Sequence, residues 1–500
     1  MHDIIHKLLF SLFEKYDFDL EALKNWMESG ISESKFHNIL HSLNEKTTEQ
    51  KANGIYNTPN DVVDFVIENS KPQGDKFLTS TVLDPTVGSG EFLVRTFQAK
   101  INICEELADD KCLNILATLY GNDIDPLAIE ICKVRLFFEI QKHISHKNYK
   151  KAAEILNQNL TTFDFINVDD ANAFGQKFDL ILGNPPYVED RKSKITPNIR
   201  YGNVFANILH NSMDMLTSNG KMGFIIPISY ISTQRMGKIR KYVEQNANWQ
   251  KVLSFADRPS CLFTGVHQKL NILIAEKGEK QHKIFTSGYN FWYKSERDSL
   301  FNKITTIENP YVNQNFYPKL GDAMDLGIYS KIHSSNNDGF ISLQNSGVAN
   351  VFINMRACFW IKAFSFPFES KEYKGFCFEE SKKWHILALL NSSLFWWYWT
   401  AVSDCWHITN KELSGFAIPP QIFEYPELAK LAQRLETELE RTKATINTKQ
   451  TNFEYKHRLC RNVIDQIDDI AGKFYGLTDV EISHIKKFQK IYRDSLGVNT

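Results

Sequence analysis

The sequence predicts an α/β fold: a Rossmann-like, mostly parallel sheet, with a helical N-terminal segment before it and a mixed α+β domain after it. Three observations support this prediction. Apolar strand patterns alternate with helical patterns over roughly residues 50–285, which is typical of parallel sheets with crossover helices. A glycine-rich turn follows the first of these strands. In the later part of the chain, dense aromatic residues and short β-like stretches replace the alternation.

The predicted boundaries divide the chain into residues 1–48, 49–288, 289–425 and 426–500. The first part carries apolar residues at helical spacing and predicts a small helical segment. The second part is the α/β domain. The third contains the aromatic run 394–399, which predicts one buried helix. In the fourth, leucines recur near helical spacing from Leu428 to Leu439, which predicts a packing helix.

The composition excludes several classes of protein. A formal net charge of −1 over 500 residues argues against a globally basic nucleic-acid binder. Any DNA affinity needs a local basic face, such as Arg235, Lys238, Arg240 and Lys241, although a solvated helix face is the commoner explanation. The eight cysteines include no C-x-x-C pair, so no metal site is predicted. The sequence shows neither a signal peptide nor a bilayer-spanning apolar run, which predicts a reduced, cytoplasmic protein.

The first strand and its turn lie in residues 81–93, Thr-Val-Leu-Asp-Pro-Thr-Val-Gly-Ser-Gly-Glu-Phe-Leu. Asp84 ends the strand, and Gly88 and Gly90 allow the backbone to turn sharply and to approach a ligand. The pattern differs from the dinucleotide fingerprint, because its third glycine would fall at Leu93. Since Asp84 would repel a phosphate, it suits a cationic ligand such as S-adenosylmethionine, with its ammonium and sulfonium. A plain strand-to-helix turn is the alternative.

A second strand is predicted over residues 115–122 and ends in Asp123, and a helix follows from Leu127. An acid at the end of the second strand of a doubly wound sheet typically binds ribose hydroxyls, so this role is predicted for Asp123. Asp125 is predicted to cap the helix, with Pro126 in its first turn.

A third acid, Asp164, lies near the end of a third segment and is followed by Phe165. Its carboxylate can accept a hydrogen bond from an adenine amino group of the cofactor, with the Phe165 ring against the purine. A loop cap explains Asp164 equally well.

The tetrapeptide Asn184-Pro185-Pro186-Tyr187 directly follows the apolar strand 178–183. The amide oxygen of asparagine and a backbone carbonyl can both accept hydrogen bonds from one –NH₂ group, and the tyrosine can stack on the ring that carries it. This chemistry suits methylation of an exocyclic amine. The alternative is a proline-rich turn with an asparagine cap, because a motif is only a hypothesis until its context agrees.

In this order, the glycine loop, the acids and the Asn-Pro-Pro-Tyr motif resemble the gamma-class, Taq-like DNA adenine-N6 methyltransferases of restriction–modification systems. Residues 54–65, Gly-Ile-Tyr-Asn-Thr-Pro-Asn-Asp-Val-Val-Asp-Phe, are similar to the first cofactor motif of that family, and residues 220–231 to a later core strand and turn. The resemblance implies a class I methyltransferase fold for residues 49–288. It also implies S-adenosylmethionine as cofactor and an adenine flipped out of double-stranded DNA as the target.

The resemblance further implies the residues of the site. Those that would contact the cofactor are Tyr56, Thr58, Pro59, Asp84, Thr86, Gly88, Ser89, Gly90, Phe92, Asp123, Ile124, Asp164, Phe165 and Asn184. Those that would hold the target adenine are Asn184, Pro185, Pro186 and Tyr187. The family also places an aromatic ring against the other face of the base. Phe263 is the candidate for that ring and His267 the second choice, although a core phenylalanine fits Phe263 equally well.

Residues 289–425 resemble target-recognition domains through residues 387–396 and 416–420. The segment before the first cofactor motif is too short for the nuclease domain of fused restriction enzymes. Where a cognate restriction endonuclease exists, it is expected to be encoded separately; the chain itself is expected to bind double-stranded DNA and to act as a monomer without a membrane partner.

Three alternatives stay open. Enzymes that methylate protein glutamine amides share the Asn-Pro-Pro-Tyr core but lack a long C-terminal extension. An RNA base methyltransferase would usually carry a more basic extension. A binding subunit with a decayed cofactor site is the third alternative, and the presence of Asp84, Asp123 and Asn184 argues against it.

Overall fold

The computed structural model describes residues 58–166, 174–192, 197, 199–263, 267–279, 282–313, 315–334, 337–446 and 452–495. The predicted helical segment 1–48 and Tyr56 lie outside these residues. The chain divides into two compact units. The first unit runs to Tyr230 and includes Gln234–Val252 and Leu262–Phe285, and the second contains the remaining residues. The four domain boundaries named above stay predictions.

In the first unit, each of the early strands is preceded and followed by helices along the chain. In chain order the elements are α1 Asn60–Ser70, α2 Lys76–Thr79, β1 Val82–Asp84, α3 Glu91–Asn102, α4 Asp109–Ala117, β2 Leu119–Asp123, α5 Pro126–Ile140, α6 Tyr149–Asn159, β3 Leu160–Thr162, β4 Phe178–Gly183, α7 Val204–Met215, β5 Leu216–Pro227, α8 Ser229–Ser232, α9 Gly237–Asn246, β6 Ala247–Phe255, β7 Leu270–Lys277 and β8 Lys283–Asn290.

The sheet of the first unit confirms the predicted Rossmann-like, mostly parallel fold. Its strands lie in the order β3-β2-β1-β4-β5-β7-β6. Neighbouring strands from β3 to β5 pair in parallel, whereas β7 pairs antiparallel with β5. The order reverses between β1 and β4, and in doubly wound sheets ligands bind outside the carboxyl ends of the strands at such a switch point.

Apolar strands and helices hold this sheet together from both sides. All three residues of β1 are buried, as are most residues of β4 and β5. Strands covered on both faces are expected to be almost continuously apolar rather than alternating. Helix α3 contributes Phe92, Leu93 and Phe97 to the core. The carboxyl ends of the central strands are therefore fixed by a packed core.

One predicted boundary is wrong and one predicted cap is confirmed. The strand predicted over residues 115–122 begins only at Leu119, because residues 115–117 belong to α4. Periodicity alone does not distinguish a short apolar run in a buried helix from one in a strand. Asp125 caps α5 by accepting a hydrogen bond from the Leu127 N–H at 2.9 Å, and Pro126 is the first helical residue.

The second unit is a mixture of helices and short strands, as predicted. Its further elements are β9 Ile307–Glu308, α10 Ala323–His333, β10 Val351–Asn354, β11 Ala363–Phe364, β12 Tyr373–Phe376, α11 Glu380–Leu390, α12 Ser393–Val402, α13 Asn410–Gly415, α14 Pro426–Thr442, β13 Ala444–Thr445, β14 Phe453–Glu454, α15 Arg461–Phe474, α16 Asp479–Lys487 and α17 Lys490–Arg493. Within the described parts of the chain, no helix is long and apolar enough to cross a membrane.

The aromatic run forms the buried helix α12, which confirms its prediction. Every residue of α12 is buried. The indole N–H groups of Trp396 and Trp399 donate to the backbone carbonyls of Cys358 and His407, each at 2.8 Å. Because a buried indole is stable only when its N–H is paired, these bonds explain how one helix can bury so many rings. The predicted packing helix is also present as α14, with its leucines buried.

Candidate active site

The carboxyl ends of three neighbouring strands bring the predicted motifs together. Asp84 is the last residue of β1, Asp123 the last of β2, and Asn184 directly follows β4. Strands β1 and β4 lie close together at this edge. A Cβ atom built on Gly183 would lie only 2.9 Å from Asp84 Oδ1. Glycine at this position therefore allows the Asp84 carboxylate to lie beside the Asn-Pro-Pro-Tyr loop.

The glycine loop after β1 adopts a conformation that requires its glycines. Gly88 and Gly90 have φ angles of +50° and +91°. The Gly88 N–H donates to Asp123 Oδ2 at 2.9 Å, which joins the loop to the end of β2. A Cβ on Gly90 would approach Cys132 Sγ of α5 to 2.7 Å, whereas one on Gly88 would meet open space. The loop is thus packed on one side and open at Gly88.

A buried ion pair supports the glycine loop from behind. Arg135 of α5 donates from Nη1 to the Ser89 carbonyl at 2.8 Å and to Glu91 Oε1 at 2.7 Å. Arg135 and Glu91 are only 7% and 15% exposed. Neither residue was predicted to belong to the site. An arginine within the apolar face of α5 is the sequence signal that could have identified this support.

Asp84 is a buried carboxylate that accepts a hydrogen bond from the Thr86 N–H at 3.1 Å. It is 2% exposed. Burial holds the pKa of Asp84 well above its usual range, the Thr86 N–H opposes this shift, and the nearby charge of Asp123 adds to it. Among the described residues, Asp84 has no ion-pair partner. A ligand that brings a positive charge would stabilise its ionised form.

Asp123 is also held in a defined orientation. Besides the Gly88 N–H, its carboxylate accepts a hydrogen bond from the Asp125 N–H at 2.9 Å. Burial raises the pKa of Asp123 to about 6, against the effect of these N–H groups. Each carboxylate oxygen has acceptor capacity beyond one hydrogen bond. Asp123 can therefore accept further bonds from ligand hydroxyl groups.

Thr86 adds a polar group that lacks a partner. Its hydroxyl oxygen is buried and forms no hydrogen bond with the described residues. A buried hydroxyl without a partner is uncommon in proteins and needs an explanation. The unpaired Thr86 hydroxyl, the buried Asp84 carboxylate and the open face of Gly88 fit a ligand with a cationic group and several hydrogen-bonding groups.

The third acid is placed as a turn cap. Asp164 Oδ1 accepts a hydrogen bond from the Ile166 N–H at 3.0 Å, as expected for the alternative given above. Phe165 is 3% exposed, and its carbonyl accepts from Asn211 of α7 at 2.7 Å. A cofactor contact by either residue stays a prediction.

Asn122 connects two of the loops and was not predicted. Its amide nitrogen donates to the Phe163 carbonyl at 3.0 Å and to the Pro85 carbonyl at 3.3 Å. Its amide oxygen accepts from the Phe163 N–H at 3.0 Å. Asn122 is 1% exposed. It fixes the loops after β1 and β3 relative to each other, and an asparagine near the end of an apolar strand is its only sequence signal.

The Asn184 amide is held at both ends. Asn184 Nδ2 donates to Thr58 Oγ1 at 3.1 Å, and the Tyr187 hydroxyl donates to Asn184 Oδ1 at 2.5 Å. The Tyr187 hydroxyl also lies 3.1 Å from the Ile225 carbonyl of β5. Pro185 is buried and Pro186 half-buried. The structure therefore brings Thr58, which precedes α1, to the motif that follows β4. Stacking of the Tyr187 ring on a base stays a prediction.

The remaining predicted residues differ in exposure. Phe92 is buried, Ile124 is 57% exposed, and the Pro59 carbonyl accepts from the first N–H groups of α1. Phe263 is 1% exposed, which agrees with the alternative of a core phenylalanine. His267 is exposed. A base-stacking role for Phe263 or His267 stays a prediction.

One residue of the predicted basic cluster is buried. Arg240 is fully buried and donates a hydrogen bond to the Tyr230 carbonyl, so it cannot form part of a DNA-binding surface. Lys238 and Lys241 are exposed. Arg235 is 48% exposed and lies 3.7 Å from Glu189, two residues after the Asn-Pro-Pro-Tyr motif. The regular spacing of cations along α9 did not reveal that one of them faces the core.

Comparisons with known proteins find relatives among restriction-modification methyltransferases. Residues 117–261 match the sequence profile described as the Eco57I restriction-modification methylase. The chain is 23% identical to the type II restriction enzyme and methyltransferase RM.Eco57I of Escherichia coli, in an alignment that covers 90% of this chain and 51% of that protein. It is 24% identical to the type II methyltransferase M.VspI of Vibrio sp. (strain 343), over 44% of this chain and 52% of that protein. The chain thus spans about half the length of these two curated relatives.

Solved structures align with parts of the chain at lower identity. The DrdV–DNA complex aligns with 57% of this chain and 34% of its own chain, at 16% identity and a TM-score of 0.45. The M.EcoKI protein of a type I restriction enzyme aligns with 49% of this chain and 52% of its own chain, at 15% identity and a TM-score of 0.37.

Proposed function

We propose that this protein is a site-specific DNA methyltransferase of a restriction–modification or related defence system. It transfers a methyl group from S-adenosylmethionine to N6 of an adenine flipped out of double-stranded DNA. The observation that carries the proposal is the Asn184 amide, which is held from both ends by Thr58 and Tyr187 directly after β4. The profile match to restriction-modification methylases over residues 117–261 supports the same chemistry.

The strand ends of β1 and β2 are proposed to bind the cofactor. Asp84 would pair with its ammonium group, Asp123 would accept from its ribose hydroxyls, and the Thr86 hydroxyl would gain a partner. When bound, S-adenosylmethionine supplies an electrophilic methyl group on its sulfonium sulfur. The open face at Gly88 allows a ligand to approach the backbone of the loop.

The Asn-Pro-Pro-Tyr loop is proposed to prepare the target amine. Asn184 Oδ1 retains acceptor capacity beyond its bond from Tyr187, and with the Pro185 carbonyl it would accept both N–H groups of the adenine amine. These bonds draw the nitrogen toward sp³ geometry, so that its lone pair can attack the methyl carbon. Transfer would break the carbon–sulfur bond as the carbon–nitrogen bond forms, and the proton lost from N6 would pass to solvent. Positioning and fixed dipoles would supply much of the rate gain.

The substrate must expose an amine that is normally stacked and paired inside a duplex. An enzyme that modifies such a base takes it out of the stack. Residues 289–425 are proposed to read the DNA sequence. A separately encoded endonuclease as partner, a monomeric state and a cytoplasmic location complete the proposal.

The test is transfer of labelled methyl groups from S-adenosylmethionine to mixed-sequence duplex DNA, followed by identification of the labelled nucleoside. The proposal expects N6-methyladenine with the wild-type protein and none with Asn184→Ala. The Thr81→Val variant, altered at the amino end of β1, serves as a folded control that keeps activity. RNA and a protein with exposed glutamine amides are tested in parallel. Label in either of these, and none in DNA, would overturn the proposal.

A further inference from the structure

The orientation of the Asn184 amide decides what the side chain can do. Its two ends have nearly the same shape, but the oxygen accepts hydrogen bonds and the nitrogen donates them. A target amino group is itself a donor. It can therefore be bound by Oδ1, whereas Nδ2 would oppose it with a second donor. A site that binds an amine must keep the oxygen of this amide on the target side.

The two hydroxyl partners of Asn184 distinguish the ends of the amide. The contact with the Tyr187 hydroxyl is 2.5 Å, and the contact with Thr58 Oγ1 is 3.1 Å. In the structure the amide nitrogen faces Thr58 Oγ1 and the amide oxygen faces the Tyr187 hydroxyl. This is the orientation in which Thr58 accepts a hydrogen bond and Tyr187 donates one.

The elements that carry the two hydroxyls both contact strand β5. The Tyr187 oxygen lies 3.1 Å from the Ile225 carbonyl of β5, but its one proton is used in the bond to Asn184 Oδ1, so this contact is not a second hydrogen bond. Thr58 is 7% exposed and lies two residues before α1. A Cβ on Gly223 of β5 would lie 2.6 Å from Ser70 Oγ and 2.7 Å from Val66 of α1, so α1 packs closely on β5. Packing on one buried strand therefore supports the elements on both sides of the amide.

We propose that Thr58 is a positioning residue, which acts with the Tyr187 hydroxyl to keep the oxygen of the Asn184 amide toward the target amine. The proposal deepens the proposed function and rests on it. Thr58 accepts the hydrogen bond from Nδ2, and Tyr187 donates to Oδ1. Without the Thr58 hydroxyl, Nδ2 would face an apolar side chain and lack a partner, so the amide would favour the reversed orientation, in which Nδ2 donates to the Tyr187 hydroxyl and the oxygen turns away from the target.

The test compares Thr58→Val, which keeps the shape but removes the hydroxyl, with Thr58→Ser, which keeps the hydroxyl. The measurement is the single-turnover rate of N6-methyladenine formation with the enzyme in excess over DNA and with saturating S-adenosylmethionine. Removing one net hydrogen bond should slow Thr58→Val by about tenfold. Thr58→Ser should restore the rate to within about twofold of the wild type. Cofactor affinity, measured by calorimetry without DNA, should change less than the rate.

A double-mutant cycle with Tyr187→Phe tests the shared role. The phenylalanine keeps the ring and removes only the hydroxyl that bonds to Asn184. Because both hydroxyls orient one amide, each substitution should slow the reaction less when the other is already present than it does in the wild-type protein. This is the behaviour of residues that act as a unit. Thr81→Val, which removes a hydroxyl bonded to Asp179 at 3.1 Å, is the control with an unchanged rate.

Three results with the Thr58 variants, and a fourth from the double-mutant cycle, would overturn the positioning role. They are a rate for Thr58→Val close to that of the wild type, a loss explained wholly by weaker cofactor binding, and a Thr58→Ser variant as slow as Thr58→Val. Strict additivity in the cycle would also contradict it. Failure of the proposed function is distinguishable, because the wild-type protein would then form no N6-methyladenine in the same assay.

Discussion

The buried polar groups at the two edges of the sheet in the first unit differ in how completely they are hydrogen-bonded or paired. At the amino edge, the Lys100 ammonium group lies against three oxygens. Its distances to the Ser80 carbonyl, Thr118 Oγ1 and the Leu78 carbonyl are 2.6, 2.7 and 3.5 Å. At the carboxyl edge, Asp84 has no ion-pair partner and the Thr86 hydroxyl has no hydrogen bond among the described residues.

This difference separates a structural polar group from one that awaits a ligand. A buried polar group whose hydrogen bonds are complete needs no ligand, even where its burial costs free energy. One that lacks partners costs free energy until something else supplies them. By this criterion we interpret the amino edge as a structural contact and propose that the carboxyl edge is a binding site. The predictions below test this contrast.

The largest expected effect is on the pH dependence of stability at the amino edge. Burial lowers the pKa of Lys100 to about 7, with Asp179 opposing the shift. An unfolded lysine keeps its proton to about pH 10.4, so the unfolded chain binds more protons between these values and stability rises with pH. Replacing Lys100 by Met should remove up to about 1.4 kcal/mol of that rise per pH unit. Urea unfolding of the wild type and Lys100→Met from about pH 7 to about pH 10 measures how the free energy of unfolding changes with pH. The same pH dependence in both proteins would contradict the burial of Lys100 at the amino edge.

A matched pair of threonine substitutions compares the two edges directly. The Thr118 hydroxyl is paired with Lys100 and with the Ile115 carbonyl, each at 2.7 Å, whereas the Thr86 hydroxyl bonds to none of the residues that the structure describes. Thr118→Val should lower the free energy of unfolding by about 1–3 kcal/mol, because it leaves buried groups without partners. Thr86→Val should leave it unchanged or raise it. Chemical denaturation without ligand measures both free energies of unfolding. An equal decrease in the two variants would contradict the difference between the two edges.

The smallest expected effect concerns DNA phosphates near the Asn-Pro-Pro-Tyr loop. Arg235 is partly exposed beside Glu189, and Arg191 is 79% exposed in the same cluster. If either contacts a phosphate, its replacement by Ala should reduce the slope of log affinity against log salt by about 1. Lys150, which is 87% exposed on α6, is the control. A slope unchanged in both arginine variants would exclude this surface from the DNA interface.

Much of the carboxyl edge could be predicted because its residues follow strands in chain order. Asp84, Asp123 and Asn184 each stand at the end of an apolar segment, and parallel strands bring such ends to one edge. The error at residues 115–117 arose because a single residue, Thr118, separates α4 from β2 and both flanking segments are apolar. Local periodicity gives no signal for that junction.

The supporting contacts could not be predicted because they join residues distant in the chain. Thr58 and Asn184 are 126 residues apart, and Arg135 reaches Ser89 across 46 residues. Lys100 can be buried because the residues that precede β1 and β2 place oxygen atoms around its ammonium group. These atoms are the Ser80 carbonyl oxygen and the Thr118 hydroxyl oxygen. The burial of Arg240 similarly depends on the core under α9. Tertiary packing decides each of these positions.

The most direct test of the carboxyl edge as a cofactor site is calorimetric titration of S-adenosylmethionine into three proteins: the wild type, Asp84→Asn and Thr118→Val. The asparagine can keep the bond from the Thr86 N–H but cannot pair with an ammonium group. The account predicts binding by the wild type, equal binding by Thr118→Val, and affinity lowered by about 100-fold in Asp84→Asn, the size expected for a lost charge-assisted bond. Equal binding by Asp84→Asn, or no binding by the wild type, would contradict it.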